Sequence, residues 1–255
     1  ICYVTKKGII RMARIDISND NEFSILLDAL SSDITYAHFH YKLLRSLHGA
    51  IEGDQYREVF NQSWTFWHLT LEAHEVAMLL RLGRIFDQGK NALSLGNWLQ
   101  TIRSNLHFFD EPNFRRRLQG NSFVESLAKD SRKPDEHELK QDIGSVVVNL
   151  NNGIDSVVKK FNNVRNKYLA HKDPNVLLPS RGPKMVADLS WNDIEHLLSL
   201  ANRLLSKYSL LFTASVYSTT MVGQDDYKYV LESIKMRIES YKATMAAEME
   251  KYLGK

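Results

Sequence analysis

The sequence predicts an all-α fold, an up-and-down helical bundle of long antiparallel helices with additional peripheral helices. Three observations predict it. Apolar residues recur at steps of three and four along several extended segments. Only 5 prolines and 12 glycines punctuate the 255 residues, which leaves room for long helices. No alternating apolar–polar run bounded by turn residues signals a hairpin, and no internal repeat or low-complexity tract is present.

The first helix is read from "FSILLDALSSDITYAHFHYKLLRSLHGAI", where Phe23, Leu26, Leu27, Leu30, Ile34, Ala37, Tyr41 and Leu44 form one stripe that Gly53 ends. "QYREVFNQSWTFWHLTLEAHEVAMLLRLGRIFD" repeats the pattern and is apolar enough to lie centrally. A break at "QGKNAL" leads to "SLGNWLQTIRSNLHFF", with Ser94 as its cap. A more polar helix is expected from about Glu111 to Lys129. After "SRKP", a segment that opens with acids, as suits a helix N-terminus, reads as one long helix. Its "SVVV" patch has β propensity, yet helical spacing continues through Leu150, Ile154, Val157, Val158, Phe161, Val164 and Tyr168. Pro174 disfavours helical geometry at Asp173 and stops it there. "PNVLLPSRGPK" holds three of the prolines and reads as loop. Ser190 then caps "SWNDIEHLLSLANRLLSKYSLLFTASVY", and Gly223 with its following acids opens a last charged helix. The expected organisation is a helical domain over residues 12–222 and a charged helix over 223–255 packed on the bundle. Residues 1–11 begin without methionine and read as a tag, a leader or a poorly ordered segment, with Met12 as a natural start. No function is assigned to them.

Composition narrows the function classes. Hydrophobic content of 44% and charged content of 25% are those of a soluble globular protein. A net charge of +3 makes the whole molecule no electrostatic trap for nucleic acid, so such binding needs a local patch. The single cysteine, Cys2, allows no internal disulfide, which fits a reducing, cytoplasmic setting. No apolar run approaches the roughly 20 residues that span a bilayer, so no membrane partner is expected.

Candidate sites follow from residue type and spacing. The histidine groups at His38–His40 and His68–His74 lack the helical pair with intervening glutamate that a zinc hydrolase uses. They read as rings satisfied within a bundle, and no metal or other cofactor is expected. Phosphate-binding glycine loops, serine elbows and dinucleotide fingerprints are absent. Arg115, Arg116 and Arg117 read either as RNA-phosphate contacts or as a solvated helix face. Trp64, Phe66 and Trp67 read either as base-stacking residues or, at helical spacing, as core.

Arg165 and His171 in "NNVRNKYLAHKDP" stand apart. The bare spacing has little weight, because about one or two such arginine–histidine matches arise by chance in a chain of this composition. Arg132 and His137, across a proline, make one of them. Context separates the two. Arg165 falls in the last turns of a predicted helix with Asn166 beside it, and His171 falls at its end. Residues six apart project about 120° from each other, but arginine is long and the helix stops at once. A histidine at a helix C-terminus has its cationic form favoured, which suits a proton donor. The alternative is a polar helix end in which Asp173 offers a local ion-pair partner.

"RNKYLAHKD" resembles the signature of the HEPN superfamily, the helical domains of many prokaryotic RNA-cutting toxins. "LRLGRIFDQGKNALSLGNWL", Leu80 to Leu99, resembles a second block of one branch, the AbiU-type abortive-infection family, and "LLDALSSDITYAHFHYKLL" is similar in style. Together they cover most of the span from about 23 to 215. The resemblance implies a metal-independent endoribonuclease toxin, a homodimer that brings two arginine–histidine pairs into one cleft. It implies Arg165 at the scissile phosphate, His171 as general acid or base during attack of the RNA 2′-hydroxyl, and Asn166 as the polar neighbour, with Lys167 and Asp173 supporting. Arg84 and Asp87 match the second block and are expected to form an ion pair holding the central helix against the catalytic one. A cognate antitoxin is implied as partner. Where toxins controlled by a nucleotidyltransferase carry a tyrosine two residues before the histidine, this chain has Leu169, with Tyr168 one step earlier, so the antitoxin type stays open. The competing implication is a non-catalytic HEPN-like binding or scaffold module.

Overall fold

The computed structural model describes residues 13–129, 131–148, 153–165 and 189–254. Among them the regular structure is entirely helical: α1 (Asp20–Glu52), α2 (Arg57–Gln62), α3 (Trp64–Ile85), α4 (Leu95–Ser104), α5 (Glu111–Arg117), α6 (Val124–Lys129), α7 (Glu136–Val146), α8 (Ser156–Val164), α9 (Trp191–Thr213) and α10 (Asp226–Leu253). Short 3₁₀ turns lie at Asp54–Tyr56 and Leu106–Phe109. No described helix is long and apolar enough to cross a membrane.

The chain forms two compact units. One joins the chain up to Tyr36 with Leu80–Tyr217, and the other joins Ala37–Leu79 with Ser218–Lys255. The first unit has an aromatic centre. Phe23 from α1 stacks on Trp98 of α4 and meets Phe212 of α9 edge-on at 4.6 Å, while Trp98 meets Tyr208 edge-on. The predicted α1 stripe supplies Phe23, Leu27, Leu30 and Ile34, all buried. Tyr208 donates its hydroxyl to Asp142 at 2.8 Å, and burial followed by that carboxylate raises its pKa well above the ordinary phenol range.

Three helix readings are corrected. The expected Glu111–Lys129 helix is two, because Gly120 turns the chain with φ of +93°, a conformation that side-chain-bearing residues disfavour. The second expected helix is interrupted at Ser63 between α2 and α3. The long helix expected after "SRKP" also breaks. α7 stops at Val146, Val147 is extended, and α8 restarts at Ser156 under the Asp155 cap. The chain leaves the helix where a partner for its backbone is available: Gln88 accepts from Val148 N–H at 3.0 Å and donates to the Val146 carbonyl at 3.1 Å. The caps at Ser94 and Ser190 form as expected, the latter as a reciprocal box with Asp193. The reading of helix onward to Asp173, the loop that follows and residues 1–11 lie outside the described residues.

The arginine run faces acids. Arg115 pairs with Glu111 and Glu125, and Arg116 with Asp20 at 2.6 Å. Arg117, only 10% exposed, pairs with Asp20, donates to the Phe212 carbonyl and lies 3.9 Å over the Phe212 ring. Burial of Asp20 favours its neutral form, but the two guanidiniums outweigh it and hold the carboxyl below its usual range.

In the second unit, Leu47, Val59, Phe60, Trp67, Leu231 and Ile238 form the core. Of the aromatic trio read as core, Trp67 is buried, but Trp64 and Phe66 are 54% and 61% exposed. One residue along a helix turns a side chain by about 100°, so Trp67 inward puts Phe66 outward. The two histidine groups meet here: His40 Nδ1 and His74 Nδ1 are 2.9 Å apart, one ring donating and the other accepting. Burial lowers the pKa of His74. Among the described residues no three histidine, cysteine, aspartate or glutamate side chains cluster as metal ligands.

Two outcomes are expected. Arg117→Ala removes an almost buried charge from Asp20 and a donor from Phe212, and should destabilise the protein by about 2 kcal/mol or more in urea unfolding. Because the folded state holds His74 with a depressed pKa, its stabilisation is complete above the unfolded value of 6.5 and is lost as pH falls through the folded value. Thermal melts should therefore decline as pH falls from 6.5 toward the folded value, with a smaller decline in His74→Gln.

Candidate functional site

The site is built around the end of α3. A helix leaves its last carbonyls without intrahelical donors. Here Phe86 N–H returns to Leu82 O, and Asp87 N–H tightens to Arg84 O, which leaves the Gly83 carbonyl for another donor. Arg165, the residue that ends α8, supplies it: Nη1 donates to Gly83 O at 3.0 Å. The same nitrogen lies 3.4 Å from Asp87 Oδ1. A cation is favourable at the negative end of a helix.

Gly83 makes the approach possible. A Cβ added there would lie 3.5 Å from Arg165 Cδ, ordinary contact for a methyl group but no room for anything longer. The Arg165 side chain thus runs along the bare helix surface and remains 19% exposed. Among the described residues, Nε and Nη2 make no hydrogen bond.

The expected Arg84–Asp87 pair does not form. The helix ends at Ile85, so Asp87 leaves the helical register in which residues three apart are neighbours. Its carboxylate accepts from Gly89 N–H at 2.8 Å and faces Arg165. Arg84, 66% exposed, reaches Asp33 of α1 at 3.4 Å, where Arg81 makes the closer contact at 2.7 Å. Arg81 also lies over the Tyr36 ring. The end of α3 therefore presents Arg81, Arg84 and Arg165 against Asp33 and Asp87.

Side-chain amides hold the turn after α3. Asn97, buried in the first turns of α4, donates Nδ2 to Gly89 O at 2.8 Å and Ala92 O at 2.7 Å. Gln88 ties the same turn to the end of α7. At the other end of α8, Asp155 caps Val157 and Val158 N–H and binds His196 Nε2 at 2.7 Å. Burial raises the Asp155 pKa, but His196 and the two amides prevail and lower it. Gly83, Gln88, Asn97 and Asp155 were not singled out from the sequence. A glycine inside a helical pattern, an asparagine three residues after a capping serine and an aspartate before an apolar-periodic run were the available signals.

Asn166, Lys167, His171 and Asp173, with Tyr168 and Leu169, lie outside the described residues. Arg115, Arg116 and Arg117 are all engaged by acids, as above. The arrangement around Arg165 joins α8 to the "LRLGRIFDQGKNALSLGNWL" block through the two segments whose motifs suggested the resemblance. Comparison with protein families matches residues 20–232 to AbiU2 of the HEPN group. The chain belongs to the AbiU2 HEPN family. No curated protein and no solved structure matches it significantly. The AbiU2 match spans both motif blocks and extends into α10.

If Gly83 is the surface on which Arg165 is laid, side-chain size there should decide stability. Gly83→Ala should be neutral or stabilising by up to about 1 kcal/mol, since alanine favours helix. Gly83→Leu must displace the Arg165 stem and should lower stability by about 1–3 kcal/mol. Thermal melts of the two variants check this ordering, with Asp87→Asn between them because it keeps an acceptor for Gly89 but loses the charge.

Proposed function

We propose that this AbiU2 chain is a metal-independent endoribonuclease of toxin–antitoxin or abortive-infection type, acting as a cytoplasmic homodimer. The observation that carries the reading is the mounting of Arg165. Its Nη1 is held by Gly83 O and Asp87, which fixes its position, while Nε and Nη2 make no hydrogen bond among the described residues. A preorganised cation of this kind stabilises charge developing on a phosphate and supplies a few kcal/mol at the transition state.

In this reaction the RNA 2′-oxygen attacks the adjacent phosphorus, the bond to the 5′-oxygen breaks, and a 2′,3′-cyclic phosphate and a 5′-hydroxyl result. The attacking hydroxyl must lose a proton and the leaving oxygen must gain one. His171 is assigned this acid–base work by its spacing from Arg165 and by family membership, and a positioned acid or base contributes typically about 10²–10⁴-fold. Asn166 is assigned to orient one of the two, with Lys167 and Asp173 supporting. The RNA provides its own nucleophile, so the scheme requires no metal-activated water. A cognate antitoxin protein is the expected regulator.

A second reading has its own observation. Arg165 Nη1 is spent inside the protein on a helix carbonyl, as a structural arginine would be. On that reading the chain is a non-catalytic HEPN binding or scaffold module.

Purified protein incubated with single-stranded RNA in excess chelator distinguishes them. Wild type should cleave, leaving cyclic-phosphate ends. His171→Ala should lose about 10²-fold or more in rate with an unchanged melting temperature. Arg165→Lys, which keeps charge but not the planar fork, should also lose most activity. A substrate with 2′-deoxyribose throughout should remain intact. Absence of wild-type cleavage at high protein concentration, or equal cleavage by His171→Ala, would favour the scaffold.

A further inference from the structure

A groove of about 440 Å³ lies between α4 and α7 in the first unit, and its described lining includes no residue assigned to RNA cleavage. Its lining includes Gln100 and Arg103 from α4 and His137, Lys140, Gln141 and Gly144 from α7. The helical period explains the grouping. Residues 100 and 103 share one face of α4, and residues 137, 140, 141 and 144 share one face of α7.

The charge on that face is one-sided. The α7 acids Glu138 and Asp142 are drawn to α9 instead, where Lys207 binds both and Tyr208 donates to Asp142. That leaves Arg103, Lys140 and His137 among the described lining residues, which include no carboxylate, Glu136 of α7 lying outside that lining. Arg103 and Lys140 have no ion pair among the described residues, although Arg81, Arg84, Arg115, Arg116, Arg117 and Arg165 each have one. Gly144 keeps the groove open: a Cβ added there meets nothing within 4 Å. The groove falls within the size range of small-ligand sites, which combine a shaped cavity with a few convergent polar groups.

We propose that this groove binds a small phosphomonoester. The arginine fork and the lysine ammonium supply charge-assisted hydrogen bonds to phosphate oxygens, and His137 supplies another donor. The glutamine amides, able both to donate and to accept, face the polar body of the ligand. A phosphate diester in an RNA backbone offers related chemistry, so the test separates the two sources.

Titration calorimetry on the whole protein uses ribose 5-phosphate and adenosine 5′-monophosphate as probes, with adenosine and an RNA octamer lacking terminal phosphates as comparisons. At least one monoester should bind, and adenosine at least tenfold more weakly than its monophosphate. The double variant Arg103→Glu/Lys140→Glu should weaken binding at least tenfold. Gly144→Met, which fills the open space without touching a charge, should weaken it comparably while circular dichroism and melting temperature stay unchanged. Arg165→Ala should leave binding intact, which separates this site from RNA cleavage. The proposal is overturned by the absence of monoester binding at millimolar concentration. It also fails if affinity is unmoved in both groove variants, or if the octamer binds as tightly as the monoesters and is lost with the same variants.

Discussion

A carbonyl without a partner at the end of α3 organises the described site. Gly83 O cannot find a donor along its own helix, because the chain tightens and leaves at Phe86 and Asp87. An unpaired buried carbonyl is costly, and a cation is the best group to place at a helix C-terminus. Arg165 meets both demands from a segment 82 residues further along the chain. The contact needs a helix surface without a side chain at residue 83 and a helix that delivers an arginine there at residue 165. It thereby ties the position of one motif segment to the other, and any chemistry performed by Arg165 inherits that geometry.

The surrounding turn is held by amides rather than by apolar packing alone. Asn97 reaches back to the Gly89 and Ala92 carbonyls, and Gln88 reaches across to the broken end of α7. Both side chains can donate and accept in several directions, so each satisfies loop backbone that no regular element pairs. The cap of α8 follows the same economy, with Asp155 serving two backbone amides and His196 at once. A hydrogen-bonded frame of this sort positions a functional side chain more narrowly than loop packing would.

Charge is distributed with similar discrimination. The arginine run at 115–117 is absorbed by Asp20, Glu111 and Glu125, and Arg117 has become part of the interior. In α7, Glu138 and Asp142 pair with Lys207 while His137 and Lys140 line the groove, which is how a chain of net charge +3 can carry a local cationic groove.

Much of this was legible from the sequence, because helical periodicity and caps are local properties. The α1 stripe, its end at Gly53, and the caps at Ser94 and Ser190 depend on residues within a few positions of one another. So did the motifs at Arg165 and at Leu80–Leu99, which led to the family the whole-chain comparison shows. Other features depended on partners distant in sequence. The valine run at 146–148 is ambiguous until Gln88 is beside it, Arg117 reads as surface until Phe212 and Asp20 enclose it, and Asp87 reads as a partner of Arg84 until Arg165 arrives. By itself the sequence determined the helical class, the caps at Ser94 and Ser190 and the candidate arginine, since these rest on short-range spacing and capping energetics. Only the tertiary structure decided where the helices break and which charges meet, because those outcomes are set by hydrogen-bond donors and counter-ions brought together across the fold.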